Sequence, residues 1–206
     1  WKVANAKADV LEHLPRNLFR RILYRPFDYR HTWYSGKTRG FIGTPGFPIM
    51  RNMLNANAMG LLAMRQYEYD VPEYCYFFVT PTLTECRVFV SNRGIANLFP
   101  LYLSEKNNMN LLADERIAFS NFKMSFLTNL GSCLNLKVDA LSGLPISLTP
   151  DVIFHYAYSV FYSPEYRRRY AEFLKIDFPR LPLTSSLALF RSLSKLGGEL
   201  VALHLL

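Results

Sequence analysis

The sequence predicts an α+β domain, with a sheet-rich, mostly antiparallel N-terminal half over residues 1–105 and a helical C-terminal half over residues 106–206. Two patterns carry this prediction. The first half holds short aromatic and β-branched runs broken by Gly, Pro and Asn, whereas apolar residues in the second recur at three- and four-residue steps. A third observation fixes the class as globular: half of the 206 residues are apolar, with 16 Phe, 13 Tyr and 2 Trp, enough to bury a full core and to exclude disorder. Residues 1–206 read as one domain, without internal repeat or low-complexity linker.

In chain order, Ala8–Leu14 predicts a short helix stopped by Pro15. Residues 19–24 and 30–35 predict two strands, parted by Pro26 and Asp28, and Ser35-Gly36-Lys37 a turn. Arg39–Pro48 carries Gly40, Gly43, Pro45, Gly46 and Pro48 and reads as a surface loop between Arg39 and Arg51. Ile49–Leu54 reads as one or two helical turns. Ala58–Gln66, Tyr74–Thr80, Cys86–Ser91 and Leu98–Ser104 follow as strands.

In the second half, Phe119, Phe122, Phe126 and Leu130 predict a helix within Phe119–Leu134. Thr149-Pro150-Asp151 supplies an N-cap, a proline at the first helical position and an acid in the first turn. Ser163-Pro164-Glu165 repeats that signal and opens a helix over Pro164–Lys175. Ile176–Leu183 is extended, and Thr184 or Ser185 caps a last helix weakened at Gly197-Gly198.

The net charge of +8 lies wholly in residues 1–65, where eleven Lys or Arg face Asp9, Glu12 and Asp28; the remainder is neutral. Eight of the eleven are arginines, whose planar fork matches phosphate and the guanine edge, so a polyanion is the natural partner. Interleaved aromatics, from Phe19 and Tyr24 to Phe41, either stack on bases or pack a sheet. No apolar stretch reaches eighteen residues, so neither a transmembrane span nor a membrane partner is expected, and the N-terminus is not a signal peptide. The opening Trp1, with no initiator methionine, suggests a piece of a longer chain. Three scattered cysteines (Cys75, Cys86, Cys133) fit a reducing compartment, and the expected location is cytoplasmic.

Catalytic patterns fail on spacing. Ser35-Gly36-Lys37-Thr38 resembles the tail of a P-loop, but His31 stands where the loop needs a glycine. Gly40, Gly43 and Gly46 recur at threes, not in the order of a dinucleotide fingerprint. The histidines (His13, His31, His155, His204) and cysteines never reach metal-ligand spacing, and His155, between two apolar stripes of a helix, reads as a hydrogen-bonded core or boundary residue rather than a catalytic one. There is no G-x-S-x-G elbow, no Pro-Pro pair for an adenine methyltransferase loop, and no nuclease-like carboxylate set; no catalytic residue is assigned.

Two segments carry a resemblance. Tyr24-Arg25-Pro26-Phe27-Asp28-Tyr29-Arg30, continuing to Lys37, resembles the Y-R-P-F-D-x-R run that follows the methyltransferase domain in large single-polypeptide restriction-modification enzymes. Ser163-Pro164-Glu165-Tyr166-Arg167-Arg168-Arg169-Tyr170, continuing through Pro179-Arg180-Leu181-Pro182, looks like the C-terminal signature of the type ISP enzymes. The resemblance covers about Leu18 to the end and implies a target-recognition, or specificity, domain that binds double-stranded DNA and positions an adenine, flipped from the helix, for an upstream N6-adenine methyltransferase. It also implies that the methyltransferase and translocase domains of the parent chain are partners, and that S-adenosylmethionine and ATP belong to that parent rather than to this segment. Family members often carry another arginine where Thr44–Phe47 has none, which puts a contact there in doubt.

Eight residues are the candidate DNA contacts. Of Arg25 and Arg30, one is expected to pair with Asp28 and the other to face a phosphate. Lys37 and Arg39 beside the glycine loop are phosphate contacts or a solvated turn. Arg51-Asn52 and Arg65-Gln66 join a guanidinium to a carboxamide, the groups that read guanine and adenine, or are chance neighbours. The Arg167–Arg169 run reads as a solvated or interdomain face. The alternative to DNA recognition is a protein-interaction domain docking on the methyltransferase or translocase.

Overall fold

The computed structural model describes residues 1–66, 73–91, 93–104 and 118–205. Helix α1 (Val3–His13) starts before the expected Ala8, because Ala4 and Ala6 extend its helical run, and it buries only Ala6 and Asp9. β1 (Phe19–Arg25) and β2 (Asp28–Trp33) form an antiparallel hairpin that pairs Phe19 with Trp33 and Leu23 with Tyr29. Its register shifts between Leu23 and Arg25, so β2 begins at Asp28 rather than at residue 30. The tight turn places Phe27 at φ 65°, a left-handed conformation that a bulky side chain adopts only when its surroundings hold it.

The loop after β2 leads to α2 (Phe47–Met50) and a 3-10 turn (Arg51–Met53), as the sequence suggests. β3 (Gly60–Met64) pairs antiparallel with both β4 (Phe77–Thr80) and β6 (Ala96–Pro100). β5 (Leu83–Thr84) runs parallel to β1, giving a hairpin sheet ordered β2-β1-β5 beside a central sheet ordered β4-β3-β6. β7 (Tyr102–Ser104) and β8 (Ala118–Ser120) make a third pair. The expected boundary between the two halves, residues 105 and 106, lies outside the described residues.

Two strand expectations fail for an identifiable reason. Cys86–Ser91 folds as turns, because Val88 and Phe89, which are adjacent, both enter the core; a strand would send them to opposite faces. Tyr74 also lies outside its strand. Its hydroxyl accepts from the Met64 N–H (2.9 Å) and donates to the Met64 carbonyl (2.6 Å), occupying a position that a neighbouring strand would otherwise take.

In the second half, Phe119 belongs to β8 and α3 spans Met124–Cys133. α4 (Pro150–Tyr162) and α5 (Pro164–Arg169) start as the sequence predicts, with the hydroxyls of Thr149 and Ser163 accepting from the N–H groups of Val152 and Tyr166. The helix expected over residues 164–175 breaks at Tyr170, after which α6 (Ala171–Leu174) resumes. α7 (Leu187–His204) is capped by Ser186, one or two residues later than expected, and runs unbroken through Gly197-Gly198. Those glycines mark a close crossing: a Cβ on Gly197 would stand 1.9 Å from the His155 carbonyl oxygen.

The main core joins the central sheet to α3, α4 and α7 through Leu62, Phe77, Leu130, Ile153, Tyr158 and Phe190. Phe77 stacks on Phe161 with ring centroids 5.1 Å apart, and Tyr156 tilts onto Phe190 at 4.6 Å. Each fully buried ring contributes roughly 2–3 kcal/mol, so this cluster dominates the stability of the domain. A smaller cluster of Tyr34, Met53, Ala58 and Leu83 sits under the hairpin sheet and fixes it to the loop that follows.

Candidate nucleic-acid interface

Alternation along β1 and β2 divides the hairpin's side chains between two faces. Leu23 and Tyr29 share the inward face, with the Arg21 guanidinium 3.9 Å from the centre of the Tyr29 ring. On the opposite face, Arg30 lies 3.6 Å from the centre of the Tyr24 ring, and Arg25, beyond the register shift, lies 4.0 Å from it. Both guanidiniums thus make cation–π contacts with the Tyr24 ring at the hairpin end. Arg30 pairs with Asp28 (2.9 Å), whose hydrogen bond holds the guanidinium proton more tightly than usual. Arg25 donates to the Tyr24 carbonyl (2.6 Å) and reaches Glu85 at 3.4 Å.

The glycine-rich loop stands beside this hairpin and is braced by α1. Asp9 accepts from the Ser35 hydroxyl and the Phe41 N–H, both at 2.8 Å. Lys37 is exposed and pairs with Glu12; their hydrogen bond raises the lysine pKa and lowers that of the carboxylate. Arg39 is exposed with φ 59°, and its N–H donates to the Gly43 carbonyl (3.0 Å). Tyr34 closes the loop base by donating to the Pro45 carbonyl (2.8 Å), and burial pushes its pKa far up.

Between hairpin and loop on one side and β6 on the other opens a cavity of about 910 Å³. Ile22, Tyr34, Leu83 and Leu98 line its interior, while Arg30, Thr32, Thr44 and Asn97 supply polar groups. Arg30 and the Thr44–Gly46 part of the loop line this groove, whereas Arg25 lines a separate cavity with Phe27 and Phe78. The other candidates lie apart from them. Asn52 is buried, its amide donating to the carbonyls of Ile49 (2.9 Å) and Pro48 (3.3 Å) and its oxygen accepting from the Ser104 N–H (2.9 Å). Arg51 is half-buried against the Ser104 carbonyl (3.4 Å). Arg65 and Gln66 are exposed at the end of β3, and Arg65 pairs with Asp177 (3.4 Å).

Of the two hairpin arginines, Arg30 is the one that takes Asp28. Arg25, Arg30, Lys37 and Arg65 each meet a carboxylate, because chain folding brings Glu85, Asp28, Glu12 and Asp177 beside them. These pairs are partly or largely exposed, where an ion pair is weak and a phosphate competes with the carboxylate on similar terms. The Arg167–Arg169 run divides in the same way: Arg168 is a solvated partner of Glu165, while Arg167 is largely buried, reaching Glu73 (3.5 Å) and the Tyr74 carbonyl (3.4 Å). Asp9, Glu12 and Glu85 are partners of the loop and the hairpin that the sequence did not single out, since they meet them across long stretches of chain.

A hairpin with cations against an aromatic ring, a glycine-rich loop with exposed Lys37 and Arg39, and a groove between them and the central sheet make up the candidate interface. A family model described as the type ISP C-terminal specificity domain matches residues 1–206, and the chain belongs to that family. The resemblance carried by Tyr24–Lys37 and Ser163–Pro182 is therefore correct. The chain is also similar in fold to a solved structure described as the cryoEM structure of a DrdV–DNA complex, with a TM-score of 0.67 and 21% identity over 92% of this chain. It spans 16% of that chain's length. No curated protein matches its sequence. No helix among the described residues is long and apolar enough to cross a membrane.

Proposed function

We propose that this domain recognises double-stranded DNA for a single-polypeptide restriction-modification enzyme, presenting the target adenine to an N6-adenine methyltransferase elsewhere in the same polypeptide. The family match over the whole chain carries this reading. A fold shared with a protein solved together with DNA supports it, as does a groove lined by Arg30 of the hairpin and by Thr44, Pro45 and Gly46 of the glycine-rich loop. In this reading the loop and hairpin cations take phosphates and so set register and affinity, and groups lining the groove read sequence. S-adenosylmethionine, ATP and the translocase belong to the rest of the polypeptide.

The test is duplex affinity of the intact protein as a function of salt. Counterion release predicts a steep linear fall of log K with log salt, made shallower by about 0.9 for each phosphate contact removed, so K37A and R39A should each flatten it. Exchange of this segment between homologues should move the methylated site. A folded protein whose duplex affinity is insensitive to salt would overturn the reading.

One observation favours an interdomain contact as a second role. Leu189, Leu196 and Leu203 recur every seven residues on α7 and remain about half exposed or more (49%, 57% and 60%), a row suited to a neighbouring helix of the parent chain.

A further inference from the structure

Asp9 is fully buried (0% exposed) in the middle of α1, where the helix needs only a small apolar residue. A carboxylate is withdrawn from water without loss only when its oxygens are used. Here Oδ2 accepts from the Ser35 hydroxyl and from the Phe41 N–H, one on each side of the segment that carries Lys37 and Arg39. The Ser35 oxygen in turn accepts from the Lys37 N–H (3.2 Å). Gly40 lies flush on the carboxylate, since a Cβ there would stand 2.4 Å from Oδ2. His13 Nδ1 stands 3.1 Å from Oδ1, but its hydrogen bond is to the Asp9 main-chain carbonyl (2.9 Å), and Oδ1 is buried without a hydrogen-bond partner, so Oδ2 alone makes the loop contacts.

We propose that Asp9 is a positioning residue for DNA binding: it pins both ends of the Ser35–Phe41 segment, so that Lys37 and Arg39 are held at a set spacing for the phosphate backbone. The proposal rests on the reading of this domain as a DNA-recognition module. Pre-organisation of this kind raises affinity by removing the ordering cost of a loop that would otherwise settle only on binding.

The charge change gives the test its sign. D9N removes a negative charge from a protein that binds a polyanion, so electrostatics alone would tighten binding. Duplex affinity of the intact protein is measured across a salt series for D9N, for S35A, for the K37A/R39A pair and for D9N combined with that pair, with a thermal melt for each. The expected result is that D9N weakens binding about tenfold and flattens the salt slope toward that of the pair, which loses about 1.8. The combined variant should lose little more than the pair alone, because all of them disable one loop. S35A, which removes one of the two loop contacts, should show a smaller loss of the same kind, and it decides the matter if D9N does not fold. Unchanged or tighter binding by D9N or S35A, while the K37A/R39A pair still weakens it, would overturn the proposal alone. Duplex binding indifferent to the K37A/R39A pair would remove the assignment of these cations to DNA, and the proposal with it.

Discussion

Lys37 on the glycine-rich loop is ion-paired with Glu12 on α1, and each side chain is about half exposed (45% and 56%). In the proposed reading of Lys37 as a phosphate contact, the Glu12 carboxylate competes with the DNA backbone for it. Because the pair is solvated, its partners exchange at little cost.

E12Q should tighten duplex binding about threefold at low salt, by freeing Lys37 and removing a charge that repels the backbone. Fluorescence anisotropy on a labelled duplex measures it, and the gain should vanish at high salt. A weaker complex would mean that Glu12 orients the lysine rather than competing for it.

Arg39 should separate stability from binding. At φ 59° an L-residue is strained by about 1 kcal/mol or more and glycine is not, so R39G should raise the melting temperature whereas R39A should not. Both should flatten the salt slope by about 0.9.

Asn52 should behave as a structural residue. N52A leaves the buried Ser104 N–H without its acceptor and frees two carbonyls, an expected loss of about 2 kcal/mol in urea denaturation. Sequence preference on a panel of duplexes should be unchanged in the folded fraction. A changed preference would return Asn52 to the set of base-reading candidates.

His204 should make stability fall in acid. Burial lowers its pKa from the ordinary 6.5, and its Nδ1 stands 2.6 Å from the Tyr158 hydroxyl, with the rings of Phe27, Phe78 and Tyr162 around it. The unfolded chain therefore binds the proton more readily, so stability is full above about 6.5 and falls as pH drops through the depressed folded value. Urea midpoints at pH 7.5 and 5.5 should differ, and H204F should reduce that difference while lowering stability at pH 7.5 by orphaning the Tyr158 hydroxyl. His155, lowered in the same direction by burial, supplies a residual slope.

What was legible in the sequence rests on local chemistry. Thr149-Pro150 and Ser163-Pro164 announce helix starts through their own side chains, and the glycines and prolines of residues 39–48 exclude regular structure. The hairpin strands were visible for the same reason. The strand expected at Cys86–Ser91 was misread because apolar alternation in a short run does not reveal which side chains the core will take. The weakness expected at Gly197-Gly198 was misread because a glycine's cost in an isolated helix is offset where a neighbouring backbone needs the space.

The candidate site divides along the same line. Its cations, their concentration before residue 66 and the family signature are properties of composition and order, and the sequence alone determined them. Which cations face one groove, which are held by carboxylates, and that Asn52 lies inside were decided by tertiary structure. Glu85 meets Arg25 across 60 positions and Asp9 meets Phe41 across 32. Pairings at such separations depend on how strands and helices pack, and local sequence carries no trace of them.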